Sequence, residues 1–154
     1  MDQPSPANDF QSAYVARLAA SFDRATGGDL VREAGLDPAA PGKSVWEGNF
    51  ALLSHGPDAI LTYANRFALE LWEMDWAAMR RTPSSATAPP EDRATRAGLM
   101  DRVARDGFAR HYTGRRISAK GRLFLIQDVT VWTCKDESGA AFGAGAFFRS
   151  VNFL

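Results

Sequence analysis

At 154 residues, 45% of them hydrophobic and 23% charged, the chain suits one domain able to bury roughly 70% of its unfolded surface. Eighteen basic residues balance eighteen acidic ones, so there is no nucleic-acid footprint, and no apolar run approaches the ~18 residues of a membrane span. The single cysteine, Cys134, permits no internal disulfide, and the acidic start MDQPSPAND is unlike a signal peptide, so the expectation is a soluble cytoplasmic protein.

Residues 1–8 read as a disordered tail. Asp9 is placed to cap a helix running to about Thr26, in which Phe10, Tyr14, Leu18 and Phe22 recur every four residues. With Val15 and Ala19 they form one apolar stripe, and Gly27-Gly28 ends the helix. A second short helix over 29–35 and a proline-rich connection over 36–43 complete a helical extension, 9–43, ahead of a core at 44–154.

Val45 to Ser54 leads into the first strand of that core, and residues 54–76 are its organising stretch. Gly56-Pro57-Asp58 has turn chemistry, 59–63 is a brief β-prone run, and Asn65 is placed to cap the next helix. Phe67, Ala68, Leu71, Trp72 and Met74 supply its apolar positions. Residues 77–88 read as loop with a turn or two of helix, and Pro89-Pro90 opens a helix to about Asp106, with Glu91 and Asp92 in its first turn. Ala97, Leu99, Met100, Val103 and Ala104 define its apolar arc; Arg93 and Arg96 fall inside the arc, Arg102 and Arg105 opposite. After Gly107, β-prone segments at 108–118, 122–135 and 140–152 predict a three-strand meander.

In the middle segment, strict alternation separates Phe124 and Ile126 from Leu123, Leu125, Val129 and Val131. Either a bulge near Gln127-Asp128 flips the phase or both sheet faces are buried. A sheet buried on both faces needs an outer cover, for which the N-terminal helix is the candidate, from its own chain or a partner subunit.

Tyr63-Ala64-Asn65 followed by Ala68, Leu69 and Leu71 resembles a recurrent segment of PAS sensor domains. Ser54-His55, Leu69-Glu70-Leu71 and Trp76 narrow the resemblance to the MEKHLA family, a PAS-related domain. So do Gly107, Tyr112-x-Gly114-x-Arg116-Ile117-Ser118, Gly121-Arg122-x-Phe124-x-Ile126, Val131-Trp132, Asp136 and Gly139. The resemblance spans about residues 18–148. It implies an α+β fold with a PAS-like five-stranded antiparallel sheet and helices inserted after the second strand, to which the N-terminal amphipathic helix is added. It also implies a stand-alone sensory or ligand-binding module. One departure is Gly143-Ala144-Gly145-Ala146, where the family tends to have Gly-Gln-Ala-Ala; if that Gln touches a ligand, Ala144 removes the contact.

Haem-binding PAS domains commonly place a ligating His on the helix before the meander, but 90–106 contains none. The flavin-binding Asn-Cys-Arg type of motif is missing around Cys134, which reads as a structural thiol. His55 and His111 have no carboxylate or Cys at metal-ligand spacing, and His55 reads as a hydrogen-bonded side chain fixing a turn. Haem, covalent flavin and metal are therefore disfavoured, and the cofactor is left unassigned.

Tyr112, Gly114, Arg116 and Ser118 alternate onto one strand face. A buried Arg116 needs a carboxylate from the protein or a ligand; the bland alternative is an Arg116–Asp128 pair across adjacent strands, or exposure. The candidate ligand-binding set is Tyr63, Trp72, Trp76, Arg96, Tyr112, Arg116, Ser118, Phe124, Asp128 and Trp132, around a small apolar or acidic molecule or a partner protein. Two alternatives stand beside it: a protein-interaction module with a filled core, and a small isomerase or hydratase using Asp128 as base with Tyr63 or Tyr112 as acid. A homodimer through the 9–26 helix is expected, with no nucleic-acid or membrane partner.

Overall fold

The computed structural model describes residues 1–154. Helices α1 (Ser12–Thr26), α2 (Leu30–Ala34) and α3 (Pro41–Trp46) precede strands β1 (Ala51–His55) and β2 (Leu61–Ala64). Helices α4 (Arg66–Leu71), α5 (Trp76–Met79) and α6 (Arg93–Asp106) follow, then β3 (Phe108–Ile117), β4 (Leu123–Lys135), β5 (Ala141–Phe148) and β6 (Ser150–Phe153). The strands form one antiparallel sheet in the order β2-β1-β5-β4-β3, with β6 also on β4. Thr130 pairs with Phe147 and Gln127 with Ser150 in one unbroken register. β5 and β6 are thus a single last strand interrupted at Arg149, and the expected five-stranded α+β sheet is present with its final strand extended.

Asn65 joins the first strands to the helices inserted after them. Its side chain is fully buried. Its Oδ1 accepts from the Leu52 N–H at 3.1 Å and from the Ala68 N–H at 3.2 Å, the second bond capping α4. Its Nδ2 donates to the carbonyls of Val45 and Phe50, at 2.9 and 2.8 Å. One amide thereby ties the end of α3, the entry to β1 and the start of α4 together.

In β4, Phe124 and Ile126 lie on the inner face, and so do Val129 and Val131. Asp128 sits between them at φ 54° as the bulge that changes the phase, and the register with β3 shifts beside it. From Val129 to Trp132 every residue is buried, so the sheet is also covered on both faces. The outer cover is α1 of the same chain. Val15, Leu18 and Phe22 are fully buried; Phe22 meets the Trp132 ring edge-on at 5.1 Å, and the Trp132 Nε1–H donates to Ser21 Oγ at 2.9 Å. Gly145 makes room for that indole, since a Cβ there would lie 2.5 Å from the ring. The apolar stripe expected to dimerise is therefore turned onto its own sheet.

The N-terminus departs from expectation. Asp9, Phe10 and Gln11 adopt left-handed φ values of 52°, 51° and 55°, so Asp9 caps nothing and α1 begins at Ser12 after a 3-10 segment, Pro6–Gln11. Residues 1–8, expected as a disordered tail, lie on the domain: Pro4 is buried, the Ser5 N–H donates to Asn8 Oδ1 at 3.0 Å, and the Met1 carbonyl accepts from Trp76 Nε1 at 3.1 Å. Within 36–50 the chain forms α3, with Pro41 in its first turn, so the first strand starts only at Ala51. On α6 the apolar arc is narrower than the pattern suggests: Leu99 and Val103 are buried, but Ala97, Ala104 and Arg93 are exposed.

Candidate functional site

A cavity of about 70 Å³ lies between the inner face of the sheet, α6 and the Ser84–Thr87 turn. β1 contributes Leu53 and His55, β4 Ile126, Val129 and Val131, and β5 Ala144, Ala146 and Phe148. α6 contributes Arg96, Leu99 and Met100, β3 contributes Arg116, and Trp72 follows the end of α4. The Trp72 ring stands edge-on to Phe124 at 5.1 Å and to Phe148 at 6.2 Å, and its Nε1–H donates to the Thr87 carbonyl at 3.3 Å. Apolar side chains thus make most of the wall.

Two guanidinium groups interrupt it. Arg116 is 6% exposed, yet its Nη1 donates only to the Arg115 carbonyl at 2.7 Å and, at the long distance of 3.5 Å, to the Tyr112 hydroxyl. Arg96 is half-buried, and burial first and Arg116 second push its pKa down to about 10. Neither forms an ion pair with any carboxylate, whereas Arg110 holds Glu33 at 2.8 Å and Arg115 holds Asp92 at 2.7 Å. His55 also faces the cavity. Its Nδ1–H donates to the Gly56 carbonyl at 2.9 Å, and its pKa is lowered by burial and, after that, by Arg96, so the neutral ring is favoured.

Of the expected ligand-binding residues, the cavity takes Trp72, Arg96 and Arg116. Tyr112 lies beside Arg116, its ring across Gly114, where a Cβ would come into collision with the phenol. Phe124 stands behind Trp72. Ser118 serves a turn instead: its Oγ donates to Glu73 Oε1 at 2.8 Å and accepts from the Arg122 N–H at 2.9 Å.

Tyr63, Trp76 and Trp132 are not cavity residues. Tyr63 pairs with Ser54 in the β1–β2 ladder, which turns it towards α1, where its ring lies 5.9 Å from Tyr14 and 5.8 Å from Trp76. Asp128 is exposed and accepts from His111 Nδ1 at 2.6 Å, while Arg116 opposes Phe124, so the cross-strand Arg116–Asp128 pair does not form. Asp128 makes no hydrogen bond to Tyr63 or Tyr112, so the carboxylate–phenol pair of the enzyme alternative is not assembled.

The Tyr63 hydroxyl is buried with no hydrogen-bond partner, and burial pushes its pKa up. Tyr63→Phe is expected to leave stability unchanged or raise it by about 1 kcal/mol, because it removes a desolvated polar group at constant shape. Urea denaturation would measure it, and a loss above about 1 kcal/mol would reveal a partner for the hydroxyl. Cys134 is buried, and burial raises its thiol to about 11, so it is unreactive. No group of three or more His, Cys, Asp or Glu side chains could hold a metal ion, and no helix is long and apolar enough to cross a membrane.

Sequence pattern missed Leu53, Ile126, Val129, Val131, Leu99 and Met100 as walls because apolar core residues look alike whether or not they border a void. Thr87 carried no signal in a loop, and Ser84 carried only the match of Pro83-Ser84 to the family pattern. Ala144 carried a clearer one: the one marked departure from the family pattern faces the cavity, opposite His55 in the β1–β5 ladder.

The family model of the MEKHLA domain matches residues 12–153. The chain belongs to the MEKHLA domain family. No curated protein matches it. Among solved structures, this MEKHLA domain is similar to the PAS domain of a protein from Colwellia psychrerythraea, with a TM-score of 0.63 and 12% identity over 82% of this chain and 98% of that one. A PAS domain of a two-component sensor histidine kinase gives 0.58 and 14%, covering 73% and 91%. The PAS domain of a LuxR-family transcriptional regulator from Burkholderia thailandensis, in complex with ethanol, gives 0.54 and 17%, covering 77% and 98%. At these identities the likeness establishes the fold: the MEKHLA chain has the architecture of PAS domains.

Proposed function

We propose that this MEKHLA domain is a ligand-binding sensory module whose ligand occupies the cavity between the sheet and α6. The observation that supports this most is the cavity itself, a mostly apolar chamber with a few converging polar groups on the inner face of a PAS-type sheet. The route for a signal is short. Val131 walls the cavity, and the next residue, Trp132, projects to the other face against Phe22 and Ser21 of α1. Displacement of β4 by a ligand therefore reaches the outer helix through one peptide unit. Output passes through α1 or a homodimer interface to which its other flank contributes, since its apolar stripe is occupied.

Native mass spectrometry of the purified full chain, compared with its denatured mass, tests the reading. The expected result is non-covalent mass released on denaturation, or, for a chain purified empty, small molecules that raise its melting temperature. In Ala144→Leu both are lost, because the added branch fills the cavity, at a cost of about 1–3 kcal/mol. A bare chain that no small molecule stabilises would move the assignment to a protein-interaction module.

A further inference from the structure

Arg116 is a largely buried cation with no carboxylate partner of its own. Its guanidinium carries five N–H donors, of which one meets a carbonyl at good distance and another a distant hydroxyl. The residue is 94% buried and no carboxylate reaches it. Arg96 lines the same cavity from the opposite element, α6, so two like charges face one small void. Burying cations without counter-charge is costly, and breaking neither fold nor sheet register, a bound anion relieves it. Arg is also the side chain whose planar fork matches a carboxylate in two parallel hydrogen bonds.

The rest of the wall limits the anion. Leu99, Ile126, Val129, Val131, Ala146 and Phe148 are apolar, and the polar remainder, Ser54, His55, Ser84 and Thr87, carries no positive charge while the His55 ring is neutral, so a second negative charge finds no further counter-charge. A water needs roughly 10–15 Å³ of such space, so a cavity of about 70 Å³ accommodates about five to seven non-hydrogen atoms.

We infer that the ligand is a short-chain monocarboxylic acid of about two to four carbons, its carboxylate on Arg116 and Arg96 and its alkyl end against β4 and β5. The inference rests on the sensory reading above and adds the ligand's chemical class. It explains why an otherwise apolar chamber keeps two cations with no partner of their own. The alkyl end, pressed on Val129 and Val131, is the part that bears on the strand leading to α1.

Isothermal titration and thermal-shift measurements on the full wild-type chain test it, using acetate, propionate and butyrate against propionamide, 1-propanol and inorganic phosphate at matched ionic strength. The acids are expected to bind and raise the melting temperature, with the amide and alcohol weaker by roughly ten- to hundred-fold, the loss that follows from removing a charged hydrogen-bond partner. Arg96→Gln, on a half-exposed helix position, is expected to weaken acid binding by roughly tenfold and so to shrink the preference for acid over alcohol; Arg116→Gln does the same more strongly where it folds. Equal or tighter binding of the neutral analogues would overturn the ligand class while leaving a ligand-binding module. Phosphate binding without acid binding would overturn it in favour of an inorganic oxyanion. Binding of none of these would remove the class; the sensory reading falls with it only where the native mass is bare and no other small molecule stabilises the chain.

Discussion

Replacing Asn65 by alanine is expected to destabilise the domain by about 3–5 kcal/mol, more than an exposed N-cap, for which about 1 kcal/mol is typical. The excess comes from the other three bonds. Truncation strips the Leu52 and Ala68 N–H groups of their acceptor and the Phe50 carbonyl of its Asn65 donor, and leaves the Val45 carbonyl with only the Gly48 N–H at 3.2 Å, all around a side chain with no solvent exposure. An orphaned buried polar group costs about 1–3 kcal/mol, and partial relaxation keeps the sum below four full penalties. Asn65→Asp discriminates the halves of the amide. It retains an oxygen for the two N–H donors but sets a second oxygen against two carbonyls, so it too is expected to be strongly destabilised. Urea unfolding of both variants measures the effect, and a loss below about 1 kcal/mol for alanine would show that the amide acts only as a helix cap.

Phe22→Ala is expected to cost about 3–5 kcal/mol, the range for removing a fully buried phenyl ring. The ring fills the space between α1 and Trp132, and the Arg110 guanidinium lies 5.3 Å from its centre, so truncation leaves a void on the outer face of β4. The variant also tests whose helix covers the sheet. With the cover supplied in cis, the melting temperature falls by the same amount at every protein concentration. A cover exchanged between subunits would make the wild-type melting temperature rise with concentration, by mass action. Tryptophan emission should shift to the red as Trp132 loses its edge-on neighbour.

Both substitutions fall on residues whose importance was legible before any coordinates. Asn65 stands between a β-prone run and an apolar helix pattern, and Phe22 completes a four-residue repeat. Neither pattern conveyed how many partners each would have, because those partners come from Val45, Phe50 and Trp132, distant along the chain. The candidate site divided for the same reason. Trp72, Arg96 and Arg116 meet at the cavity, whereas Tyr63, Trp76 and Trp132, equally aromatic and equally near the family motifs, are on the α1 side of the sheet. Composition identifies a residue as buried without saying on which face, and face is set by strand phase. That phase is interrupted here where His111 and Asp128 take left-handed backbone angles.

By itself, then, the sequence determined the order of the strands and longer helices, the cap at Asn65, the stop at Gly107 and the family, and offered a phase change near Asp128 as one of two readings. Each of these depends on residues within a few positions of one another, or on the summed agreement of many spaced matches. Only the tertiary structure decided that residues 1–8 lie on the domain, that α1 covers its own sheet, that Asp128 bonds His111 and not Arg116, and that a void remains between β4, β5 and α6. These are outcomes of long-range packing, in which the partner of a charge and the presence of a gap depend on where distant elements come to rest.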